Sequence, residues 1–151
     1  MSAYQTIVVG TDGSETSLKA VDRAGEIARA GKGAKLVIVC AYVPSEPRDV
    51  DRAQDVLGDD DAYQIVGSTP AEDTLRTAAD RAKAAGALAI ETIAVRGEPV
   101  KSLSAAARKH HADLLIVGNR GLNTLAGRIL GSVPLAVTHR AECDVLIVHT
   151  T

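Results

Sequence analysis

Five short apolar runs rich in Val, Ile and Leu set the tightest limit on how this chain folds: Gln5–Gly10, Lys35–Tyr42, Ala89–Arg96, Asp113–Gly118 and Cys143–His149. None is broken by proline, and longer amphipathic stretches separate them. Alternation of this kind belongs to strand and helix units joined into a parallel sheet, whose strands are covered on both faces and so read as nearly continuous apolar segments. The expected class is α/β. The chain has 151 residues and no compositional break that would mark a linker. One domain over 1–151 is expected, burying roughly two-thirds of the surface its unfolded form would expose. Apolar residues make up 46% of the chain, yet Phe and Trp are absent and Tyr occurs three times. The core must therefore be built from Ala, Val, Leu and Ile.

The intervening segments carry helix signals. In Ser14–Ala30, Ala20, Ala24, Ile27 and Ala28 recur at helical spacing, Ser14 stands as a cap, and Gly31 and Gly33 stop the helix. Pro70–Ala85, with Thr69 as cap and Gly86 after it, Glu98–His110, and Ser132–Arg140, with Ser132 as cap and Pro134 in the first turn, are the other helices expected. His110, His111 and His139 fall at helix ends, where cations suit the dipole. The segment from Pro44 to Ser68, with Asp59, Asp60 and Asp61 in a row, has no clean period. It reads as a solvated surface loop with a short helix, a lid over a ligand being the alternative.

Charge and composition narrow the function. A formal net charge of −2 and a pI near 6.1 offer no broad attraction for nucleic acid or acidic membranes, so neither is expected as a partner. No run approaches bilayer length, and MSAYQTIVVG lacks the basic and apolar regions of a secretory signal. Cys40 and Cys143 lie in separate apolar runs and read as buried, reduced thiols. A cytoplasmic location is the expectation.

Two strands end in the same small motif: TIVV enters Gly10, Thr11, Asp12, Gly13, and LLIV enters Gly118, Asn119, Arg120, Gly121. If these are strands one and four of the order 3-2-1-4-5, they flank the crevice where doubly wound sheets bind ligands, and their glycines let main chain approach without a Cβ. Gly131 and Ser132 then open a helix, whose first N–H groups and positive dipole end suit a phosphate. Arg120 and Arg128 supply positive charge from the loop between. Asp12 would repel phosphate unless a metal intervened, so it suits ribose hydroxyls, or else helps to cap the first helix.

Gly118, two residues, Gly121, nine residues, then Gly131 and Ser132 resemble the nucleotide-binding signature of universal stress proteins. The resemblance extends over the whole chain, through TIVVGTDGS, VIVCAY, DLLIVGNRG, GSVP and CDVLIVHT. It implies an open five-stranded parallel sheet in the order 3-2-1-4-5 with helices on both faces, a Rossmann-like fold of the adenine nucleotide alpha hydrolase type. It also implies a homodimer and an adenine nucleotide at the switch point. Carried across, the pattern puts Thr11 and Asp12 near adenine and ribose, and Cys40 and Ala41 at the wall of the base pocket. Val117 and Gly118 would line base and ribose, while Gly121, Gly131, Ser132 and Val133 would hold phosphate.

Where triphosphate-binding members commonly carry a hydroxyl residue after the equivalent of Val133, this chain has Pro134. A lost hydrogen bond to a charged phosphate costs about 1.5–3 kcal/mol, which favours AMP or cyclic AMP over ATP. Pro134 is equally a good first-turn residue. The expected function is a non-enzymatic nucleotide sensor or reservoir in a stress response. The alternatives are an ATP binder with weak ATPase activity, in which Asp12 would hold Mg, and a signalling scaffold without nucleotide. No G-x-x-x-x-G-K-[ST] loop is present. A receiver domain would need a lysine after the last strand, and a flavin binder would need aromatic residues. His149 follows the fifth strand, whose edge is the expected homodimer contact.

Overall fold

The computed structural model describes residues 4–42, 69–119 and 132–150, without the side chains of residues 69 and 132–135. Pro44–Ser68, Arg120, Gly121, Arg128 and Gly131 lie outside the described residues. In chain order the elements are β1 (Thr6–Gly10), α1 (Glu15–Ala30), β2 (Lys35–Tyr42), α2 (Thr69–Ala85), β3 (Ala89–Arg96), α3 (Pro99–Lys109), β4 (Leu114–Gly118), α4 (Ser132–Arg140) and β5 (Asp144–Val148). The five strands form one parallel sheet in the order β3-β2-β1-β4-β5.

Where element ends differ from the sequence expectation, they differ by a single residue. Ser14 is the N-cap of α1, and its hydroxyl accepts from the Ser17 N–H. Glu98 and His110 prove to be the caps of α3 and not its helical ends. Thr69 and Ser132, expected as caps, are the first residues of α2 and α4.

The sheet divides the core into two layers because side chains alternate across each strand. Ile7, Val9, Leu36, Ile38 and Ile116 face α1 and α2, which contribute Leu18, Val21, Ala24, Leu75, Ala78 and Ala82. On the other face Val8, Val37, Val39, Leu115 and Val117 meet Leu103 and Ala107 of α3 and Val137 of α4. Each fully buried Val, Leu or Ile contributes about 1.5–3 kcal/mol. With no Phe or Trp in the chain, α1 and α2 pack by close approach of their backbones. A Cβ on Gly25 of α1 would fall 2.7 Å from the Ala85 Cβ and 2.9 Å from the Ala82 carbonyl oxygen on α2. Outside this contact Arg81 of α2 reaches Asp22 at 2.6 Å and Glu15 at 3.3 Å on α1, and both hydrogen-bonded carboxylates hold its guanidinium more firmly charged.

The central strands β1, β2 and β4 are almost wholly buried, whereas the edge strands are not. On β5, Ile147 is 43% exposed, and Val145 and Leu146 are half-buried. Among the described residues no helix is long and apolar enough to cross a membrane.

Candidate functional site

The order of strands places β1 and β4 side by side at the centre, with their connections leaving in opposite directions along the sheet, so their carboxyl ends form the switch-point crest. Register aligns the ends: Val9 pairs with Ile116, and Gly10 pairs with Val39 of β2. One residue further on, Thr11, Cys40 and the Val117–Gly118 pair converge on the same edge. Because α4 returns the chain between parallel neighbours β4 and β5, and ends just before β5 begins, its first residues also lie toward this edge.

The β1 end is built locally. The Thr11 side chain is fully buried; its hydroxyl pairs with the Ser17 hydroxyl at 2.7 Å and accepts from the Gly13 N–H at 3.1 Å. The Thr11 N–H donates to the Val39 carbonyl at 3.0 Å, carrying the ladder one step past β1. Asp12 is half-buried, and its Oδ1 accepts from the Ser14 N–H at 2.9 Å, an Asx turn leading into the helix cap. Gly13 has φ +87°, and a Cβ there would lie 2.9 Å from Thr74 Oγ1 of α2, so the turn requires glycine both for its backbone and for its space.

The Cys40 thiol is 5% exposed and is pushed up to about 11, first by burial and then by the negative charge of Asp12. It is a protonated, weakly nucleophilic group at neutral pH. Cys40 and Val117 share the crest but face opposite layers, toward α1 and α2 and toward α3 and α4 respectively. Ala41 alternates away from Cys40. Gly10, Thr11, Asp12, Cys40, Ala41, Val117 and Gly118 are thus brought to one edge as main chain, whereas the side chains of Cys40 and Val117 do not meet. Ser132 and Val133 open α4.

Sequence reasoning did not single out four polar residues at this edge. Ser17 stands one helical turn after Ser14 on the buried face of α1, a position where a small polar residue at an apolar site was the available signal. Thr150 and Lys19 carried none, and Asn119 stood in the Gly118 to Gly121 motif only as a spacer: Asn119 Oδ1 accepts from the Thr150 N–H and hydroxyl, and Lys19 Nζ donates to the Thr150 carbonyl at 3.2 Å. Among the described residues no group of three or more His, Cys, Asp or Glu is placed to hold a metal.

A doubly wound parallel sheet with glycines at the carboxyl ends of β1 and β4 defines the class, an α/β protein of Rossmann-like architecture. The model of the universal stress protein family matches residues 3–149, and the chain belongs to that family. It is 52% identical to universal stress protein Rv1636 of Mycobacterium tuberculosis over 151 residues, covering all of both chains. A universal stress protein crystallised in complex with cAMP is 51% identical, with a TM-score of 0.75, over 99% of this chain and 100% of that one. A more distant structure, the universal stress protein from Archaeoglobus fulgidus in complex with dAMP, shares the fold at a TM-score of 0.67 and 23% identity, over 96% and 98% of the two chains.

Proposed function

We propose that this chain binds an adenine nucleotide along the crest formed by β1, β2 and β4, and serves as a nucleotide sensor or reservoir without transforming its ligand. The observation that carries the reading is the convergence of two strand ends of the form Gly-polar-x-Gly at a switch point, in a chain 51% identical to a protein that binds cAMP. Gly10, Thr11 and Gly118 would offer main chain to base and ribose, with Asp12 toward ribose hydroxyls and Cys40 and Ala41 at the wall. Val117 would stand behind the base. Gly121, Gly131, Ser132 and Val133, helped by Arg120 and Arg128, would take the phosphate.

The favoured ligand is cyclic AMP or AMP, because Pro134 removes a main-chain donor from the helix that faces the phosphate. Asp12 already holds the Ser14 N–H, which suits a ribose partner better than a hydrated metal. The exposed Ile147 on edge strand β5 supports a homodimer through that strand, and the two free cysteines suit a reducing, cytoplasmic setting.

The test is calorimetric titration of nucleotide-stripped protein with cyclic AMP, AMP and ATP, with and without Mg, with the oligomeric state of the same sample measured by sedimentation. Cyclic AMP or AMP is expected to bind roughly 10- to 100-fold more tightly than Mg-ATP, the equivalent of one lost charged hydrogen bond, in a sample that sediments as a dimer. Tighter binding of Mg-ATP would make Asp12 a metal ligand and reopen hydrolysis. No binding of any of the three would sink the nucleotide reading.

A further inference from the structure

The end of β4 is tied to the residues after β5 by a clasp that lies beside the proposed ligand contacts and is not among them. Asn119 Oδ1 accepts from the Thr150 main-chain N–H at 2.9 Å and from the Thr150 hydroxyl at 2.8 Å. Because a main-chain N–H can only donate, the amide orientation follows from chemistry, with oxygen toward Thr150 and Nδ2 toward His149 Nδ1 at 3.4 Å. Thr150 is 2% exposed, so both bonds are shielded from competing water. The Lys19 amine of α1 takes its carbonyl at 3.2 Å.

The clasp bears directly on Gly118. A Cβ at that position would lie 3.3 Å from Thr150 Cγ2 on one side and 4.0 Å from the Thr16 carbonyl oxygen of α1 on another. Thr150 therefore packs directly against Gly118 at the end of β4, the residue whose main chain is proposed above to meet the ligand. Hydrogen bonds set this position in direction as well as distance, which apolar packing alone does not.

We propose that Asn119 and Thr150 are positioning residues for nucleotide binding, holding Gly118 where its main chain meets the ligand. The inference rests on the nucleotide reading above and concerns two residues that do not touch the nucleotide. A site held loosely by an ångström loses much of its affinity, so the clasp is read out in binding as well as in stability.

The experiment compares the wild type with Thr150→Val and Thr150→Ser by cyclic AMP titration well below each unfolding midpoint. Thr150→Val keeps the shape and deletes the hydroxyl; roughly 3- to 10-fold weaker binding is expected, the effect of one neutral hydrogen bond. Thr150→Ser restores the donor and is expected to bind within about twofold of the wild type. A second measurement needs no variant: the Asn119 amide, which donates to the Val148 carbonyl at 2.8 Å, should exchange at least about tenfold more slowly when cyclic AMP is bound. Wild-type binding with unchanged affinity in Thr150→Val, or an Asn119 amide indifferent to ligand, overturns the clasp alone. Failure of the wild type to bind overturns the nucleotide reading and the ligand role of the clasp with it.

Discussion

The ends of β1 and β4 begin from nearly the same sequence and are held by opposite means. After TIVVG, Thr11, Asp12 and Ser14 are tied into a local network of hydrogen bonds between residues two to six positions apart, with a ladder bond from Thr11 to Val39. After LLIVG, Asn119 is held by Thr150, 31 positions on, and Thr150 in turn by Lys19, 131 positions back. The first end is a turn and a helix cap, which the local chain forms as α1 begins. The second exists only once β5 has paired with β4 and α1 has docked. Similar strand ends can thus be rigid for different reasons, and they should fail differently.

The largest expected effect is at the non-local end. Asn119→Ala leaves the Thr150 N–H and hydroxyl buried without their acceptor, and should cost about 3 kcal/mol in denaturant unfolding, with a midpoint fall of roughly 6–12 °C. Equal stability in the variant would show that the clasp carries no weight. Thr11→Val at the local end should cost less, about 2 kcal/mol, because Ser17 keeps its bond to the Ser14 carbonyl at 2.9 Å and the exposed Gly13 N–H can turn to water. A loss larger than that of Asn119→Ala would reverse the comparison.

The smallest effect is one of pH. Cys40 beside Asp12 has its folded value raised from about 9 to about 11, so the folded form holds the proton more firmly. Its stabilisation is complete below pH 9 and fades as pH climbs through 11, with roughly 1.4 kcal/mol gone by pH 10. Cys143 shifts in the same direction, through burial and then Asp144. Cys40→Ala should therefore flatten the alkaline slope without abolishing it; an unchanged slope would show that Cys40 is not its source.

Much of the fold was legible because its signals are periodic and local. The apolar runs named all five strands to within a residue or so, and Ser14, Gly31 and Gly86 marked helix ends by cap chemistry. The crest was legible through its glycines, since a residue without Cβ at a strand end has few other uses. Less legible was which way a crest side chain faces: that Cys40 and Val117 point to different layers follows from the alternation and pairing of their strands. Ser17 was legible only as a polar break in the buried face of α1, a signal that names no partner.

By itself the sequence determined the α/β class, the positions of strands and helices, the glycine-bearing turns and the family, because each depends on residues near one another along the chain. Tertiary structure alone decided that Gly25 would meet Ala85, that Thr74 would crowd Gly13, and that Thr150 would close over Gly118. Those contacts join residues dozens of positions apart or more, and their partners are chosen by how two helices and five strands stack. No pattern in a linear chain records which surfaces meet, since the energy that selects them appears only when the layers have already come together.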